Sequence, residues 1–220
     1  MVIASKFMSI TTLFISLIIG FISNYIISDL SKEQKKKNTE EMVSQLINFI
    51  IFIFISKIIL NLPLFISDPL VVLAYPSDSG AFYLAILFSA LLLIYKDVRK
   101  KMDLLIFIES SIPVFLITSF VYEFIQFVLN DNTYSFGYLI LLAVLLVLYY
   151  LITERITTST LIILMIIGWS AGMFLLAFIQ PFATVFGYIM APWFIVVFLI
   201  ISLSYIMIKK RKKRLSAMVK

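Results

Sequence analysis

Long apolar runs, separated by short polar or basic connections, make up this chain from end to end. Most of them reach the ~18 residues that a helix needs to cross hydrocarbon. They predict seven membrane-spanning helices over residues 7–27, 42–64, 80–95, 103–130, 138–152, 159–178 and 187–208. The first run follows Lys6 but is too long for a signal-peptide core, and no small-residue cleavage site comes after it, so it reads as a retained helix.

The connections carry the turn and charge signals. Residues 28–41 hold Lys32, Lys35, Lys36 and Lys37 among acids, as a loop or an exposed helix end. Residues 65–79 hold the turn formers Asp68-Pro69 and Tyr75-Pro76-Ser77-Asp78. Asp131-Asn132 begins a short turn, 153–158 form a tight one around Arg155, and Gln180-Pro181 breaks the sixth helix. Asp78 and Asp131 read as solvated loop residues, and Trp169 and Trp193 as packing or interfacial aromatics.

The fold class expected is all-α: a polytopic membrane bundle forming one domain over 1–208, with a basic tail over 209–220 that opens as Lys209–Arg214. Sixteen Lys and Arg lie in the loops after spans one, three and five and in the tail. Only Lys6 and Lys57 fall elsewhere. The positive-inside rule then predicts an outer amino terminus and an inner carboxyl terminus.

Composition sharpens this. The chain of 220 residues is 62% hydrophobic and 14% charged, where a soluble domain would be about half apolar. Its net charge of +6 is spread over short loops and a tail, which is not a nucleic-acid footprint. Cysteine and histidine are absent. That removes thiol nucleophiles, imidazole bases, disulfides and Cys/His metal sites, and no cofactor or metal is expected.

Charged groups inside the spans are therefore the candidate chemistry, because a charge in hydrocarbon costs a few kcal/mol or more. The fourth span contains Glu109, Pro113, Glu123 and Gln126. Glu109 and Glu123 are fourteen positions apart, about 21 Å along a helix and close to four full turns, so both face one side. Pro113 removes a helical hydrogen bond between them and predicts a kink. Lys57 stands well inside the second span, either snorkelling, pairing with a carboxylate to fix helix register, or serving a ligand.

On these residues the chain resembles the bacterial prolipoprotein diacylglyceryl transferases, seven-span proteins of the same orientation. That family shows an acid, a Pro four positions on, and a Gly-Arg-x-Gly-Asn-Phe element beginning nine positions after the Pro. Glu109 and Pro113 keep the spacing, Phe127 falls on the motif's Phe, and Gln126 replaces its Asn. Ser56-Lys57 resembles the family's small residue and Arg, Asp68-Pro69-Leu70 its Asn-Pro-Leu, and Gly80-Ala81-Phe82-Tyr83 its Gly-x-Ser-Phe-His. The departures concern the site itself. Tyr83 stands for the His, Glu123 for the Arg, and Gly168–Gln180 lacks every Arg and the Glu of the family's sixth-span stretch.

The resemblance implies a multi-pass protein of the bacterial cytoplasmic membrane that handles phospholipid, with phosphatidylglycerol as the expected ligand and a lipoprotein or other membrane protein as a further partner. The family is thought to grip the headgroup with Arg, whose guanidinium holds phosphate through two parallel hydrogen bonds, and a carboxylate in its place repels it. The first expectation is thus a divergent lipid- or partner-binding protein with the usual site lost. An active transferase would use Lys57, Glu109 and Gln126 to hold substrate and Glu123 or Tyr83 as the base or acid. A carrier would use Lys57, Glu109 and Glu123 as a path, although no inverted halves are visible.

Overall fold

The computed structural model describes residues 2–28, 30–74, 76–129 and 132–218, with side chains between residues 10 and 211. Expectations for Tyr75 and Asp131, and for the side chains of Lys6, Lys212, Lys213 and Arg214, lie outside what is described. The elements are α1 (Val2–Ile27), α2 (Lys32–Leu60), α3 (Leu62–Ser67), α4 (Pro69–Ala74), α5 (Ser79–Val98), α6 (Leu104–Leu129), α7 (Ser135–Ile152), α8 (Thr158–Ile179), the strands β1 (Thr184–Val185) and β2 (Tyr188–Ile189), and α9 (Pro192–Met218).

Among the described residues, α1, α2, α5, α6, α7, α8 and α9 are long and apolar enough to cross a membrane. Hydrocarbon offers the backbone no hydrogen bonds, so such segments must satisfy their own, and the helix does this within one segment. Their outward faces are apolar too, as at Phe14, Ile18 and Ile22 on α1 or Val144, Val147 and Leu151 on α7. Exposed apolar area of that extent is foreign to a water-facing surface. The seven helices fit an integral, multi-pass membrane protein.

Of the stretches between the apolar runs, residues 32–41 take the exposed-helix-end form of their reading, and residues 62–74, read as a loop from 65, are largely helical. α2 begins at Lys32, ten residues before the apolar run, because Ser31 builds a capping box: its Oγ accepts from the Gln34 amide at 3.3 Å, and Gln34 Oε1 accepts from the Ser31 amide at 3.2 Å. Residues 62–74 fold into α3 and α4, with Pro63 and Pro69 in their first turns, where proline's missing N–H costs nothing.

The chain packs as two compact units, Met1–Ser28 with Ile108–Lys220 and Asp29–Phe107. In the second, α5 lies along α2. Small residues permit the approach: Ala81 and Ala85 are buried, and Phe49 meets Phe82 edge-on at 5.6 Å. One end of this pair is tied by Lys96 Nζ, which donates to Glu41 Oε1 at 2.9 Å.

In the first unit, α6 is the most enclosed helix, with 39% of its apolar window buried against 28% or less elsewhere. It runs unbroken through Pro113. Its neighbour α1 comes close at Gly20, where a β-carbon would collide with the Thr118 hydroxyl and stand 3.1 Å from the Val114 carbonyl. α7, α8 and α9 pack in succession. Gly168 and Gly172 of α8 face Leu145 and Leu141 of α7, a small-xxx-small face that lets two membrane helices approach.

The expected seventh span over 187–208 begins later. Residues 184–189 form an antiparallel hairpin, Thr184 opposite Ile189 and Val185 opposite Tyr188, and α9 starts at Pro192. Phe186 (φ 52°) and Gly187 (φ 84°) form the two-residue turn, which needs positive φ at both positions. Phe186 is held by its ring, 5.6 Å from Tyr122 and 6.1 Å from Phe115. Gly187→Ala is expected to lower stability by about 1–2 kcal/mol, the cost of a β-carbon in the left-handed region, as read by unfolding in mixed micelles.

Candidate functional site

Two polar sites form, one in each unit. The first lies where α2 ends. Lys57 is in the last turn of that helix and only 6% exposed. Its Nζ donates to the Leu73 carbonyl at 3.0 Å and sits 5.8 Å from the centre of the Phe54 ring. Asn61 caps the helix, its Nδ2 donating to the Lys57 carbonyl at 2.9 Å.

Lys57 and Asn61 line a pocket of about 480 Å³ with Leu64, Val71, Val72, Pro76 and Asp78. That is within the range of small-ligand sites, which are mostly apolar with few polar groups. Asp78 is the other charge on the wall. Its Oδ1 accepts from the Ala81 amide at 2.8 Å as the cap of α5, so its charge is engaged by a helix amino terminus. The pocket thus offers one buried ammonium beside a mixed polar and apolar wall, a point charge suited to a phosphate but lacking the two-pronged grip of Arg.

Lys57 thus lines a pocket, while Asp78 is a cap and a wall residue as well as an exposed loop residue. Tyr83 is half-buried on α5 and is not among the residues lining the pocket.

The second site surrounds Glu123 in the first unit. Ser119 is one turn before it on α6, Ser135 opens α7, and Tyr138 follows one turn later. All four are nearly sealed, at 1–3% exposure. Trp169 of α8 donates from Nε1 to Tyr138 Oη at 3.0 Å. The Ser135 hydroxyl acts on Glu123 as a hydrogen-bonding neighbour, and Tyr138 interacts both with Glu123 and with the Ser119 hydroxyl, although neither carboxylate oxygen has a partner at good hydrogen-bond distance and angle among the described residues. The same holds for Ser119 Oγ and Ser135 Oγ.

Gln126 is half-buried and engages the Tyr122 hydroxyl, one turn back on the same helix. Glu109 is half-buried, within electrostatic reach of Tyr149 on α7. Of the residues expected to matter, Lys57 and Tyr83 belong to one unit, and Glu109, Glu123 and Gln126 to the other.

Compared with family models, curated proteins and solved structures, the chain matches none.

Sequence reasoning missed Ser119, Ser135, Tyr138 and Trp169 as a group. One signal was present: Ser119 and Glu123 are four apart and share a helix face. Tyr138 and Ser135 join them only through helix packing, which no local spacing encodes.

Proposed function

We propose that this chain is a membrane protein on the plan of the prolipoprotein diacylglyceryl transferases that binds an anionic phospholipid headgroup, phosphatidylglycerol first, without the family's usual transfer site. Its amino terminus lies outside and its carboxyl terminus inside, in a bacterial cytoplasmic membrane. The observation that carries the reading is the buried Lys57 ammonium on the wall of a pocket of about 480 Å³ that mixes the polar Asn61 and Asp78 with apolar side chains. A desolvated cation beside space of that size favours an anion, and the apolar part of the lining, Leu64, Val71, Val72 and Pro76, suits the glycerol and upper acyl carbons of a lipid. The replacement of the family's Arg and His positions by Glu123 and Tyr83 favours holding a lipid over transferring part of it.

The experiment is native mass spectrometry of the purified protein with phosphatidylglycerol titrated in. Wild type should retain the lipid, and Lys57→Ala should bind it roughly ten- to a hundredfold more weakly, the loss of one hydrogen bond to a charged group. Equal binding by both proteins would remove the reading. Diacylglyceryl transfer to a lipobox peptide, lost in Glu123→Gln, would replace it with the transferase.

A further inference from the structure

The sealed cluster around Glu123 takes no part in holding a headgroup at Lys57, and its chemistry points elsewhere. We propose that Glu123, Ser119, Ser135 and Tyr138 form a binding site for a monovalent alkali cation, of which sodium is the probe.

Charge balance comes first. Glu123 is 1% exposed, and neither of its oxygens has a hydrogen-bond partner among the described residues. A buried charge without a counter-charge is expensive, so the site must take up one positive charge in place, a proton or a cation. One carboxylate among neutral hydroxyls is balanced by a single positive charge. Among the described residues, no group of three or more acidic, His or Cys side chains is placed to take a more highly charged metal.

The ligand set comes second. Among the described residues, the buried atoms around Glu123 that lack a hydrogen bond of good geometry are its two carboxylate oxygens and the hydroxyls of Ser119 and Ser135, all of them oxygens. Tyr138 Oη accepts from Trp169 Nε1 with one lone pair and interacts with the Ser119 hydroxyl, so it belongs to the same group of oxygens and keeps one lone pair for it. Hard oxygen donors of this kind suit alkali and alkaline-earth ions over transition metals. They come from two helices and are ordered by packing, with Ser119 and Glu123 one turn apart on α6 and Ser135 and Tyr138 on the first turn of α7.

The site carries its own reporter. Trp169 and Trp193 are the two tryptophans of the chain, and Trp193 is 61% exposed on α9. In a Trp193→Phe background, Trp169 fluorescence reads the hydrogen bond to Tyr138 directly. The purified full chain in lipid nanodiscs is titrated with sodium chloride against choline chloride at constant ionic strength, following Trp169 emission and the thermal midpoint.

Sodium should give a saturable emission change and raise the midpoint, where choline does neither. Glu123→Gln should abolish both responses, and Ser135→Ala should raise the half-saturating concentration about tenfold, the loss of one contact to a charged group. If Glu123→Gln does not fold, Ser135→Ala alone carries the comparison. The proposal is overturned if wild type responds equally to sodium and choline, or if either variant responds like wild type. It is also overturned if the signal follows pH alone at every sodium concentration, which would leave a proton as the occupant.

Discussion

Gly172→Leu should cost the first unit about 2–3 kcal/mol and separate α7 from α8. A β-carbon at residue 172 would meet Leu141, standing 2.6 Å from its Cδ2 and 2.9 Å from its Cγ, and one at residue 168 would stand 3.0 Å from Leu145 Cδ2. The end of Leu141 can rotate away from a single methyl, but an isobutyl group fills the groove that the leucine occupies. Overpacking of a fitted contact costs ~1–3 kcal/mol, and the upper part of that range applies where backbones already approach closely. Unfolding in mixed micelles, followed by circular dichroism, gives the value. The mechanism has its own control: Leu141→Ala vacates the groove and should restore most of the loss in the double variant, since residues in contact are not additive. A double variant no better than Gly172→Leu would mean that the glycine serves some purpose other than close approach.

Glu123→Met should stabilise the protein, by about 2 kcal/mol in sodium-free buffer. Methionine is unbranched and similar in length, and it adapts to the space left by the carboxylate. What disappears is a buried polar group with no hydrogen-bond partner among the described residues, a situation that costs ~1–3 kcal/mol. The sign is the informative part. A fall in stability would show that the carboxylate is a structural member of the bundle. A cation bound only by the folded state adds stability that grows with its concentration, so sodium should narrow the gap between wild type and variant.

The spans were legible because hydrophobicity alone demands them. The predicted bounds of 80–95, 103–130, 138–152 and 159–178 agree with α5, α6, α7 and α8 to within a few residues. Errors cluster where apolar content stops informing. The lysine stretch read as a loop or an exposed helix end, and the Ser31-to-Gln34 capping box, present in the sequence, decides for the helix. α3 and α4 have six residues each, too short to show a periodicity. The hairpin at 184–189 continues an apolar run, so hydropathy alone does not separate it from α9. At the level of sites, Lys57 announced itself as a charge in a span, and Glu123 did the same. The residues that give each its surroundings, Asp78 and Asn61 for one and Ser135 and Tyr138 for the other, come from other turns and helices. Gly168 and Gly172 are four apart in the sequence, a spacing that went unread there and that the structure turns into a packing face against α7.

Pro113 has one more effect, on motion. Without an N–H it leaves the carbonyl of Glu109 one rung short in the ladder of α6. Glu123 is ten residues further on, about 15 Å away along the axis. A pivot of only ~10° at the missing rung, smaller than the kinks proline commonly produces, carries the Glu123 end sideways by about 2.6 Å. That is nearly the length of a hydrogen bond. A slight flexing of one helix is therefore enough to gather the oxygens around Glu123 or to scatter them.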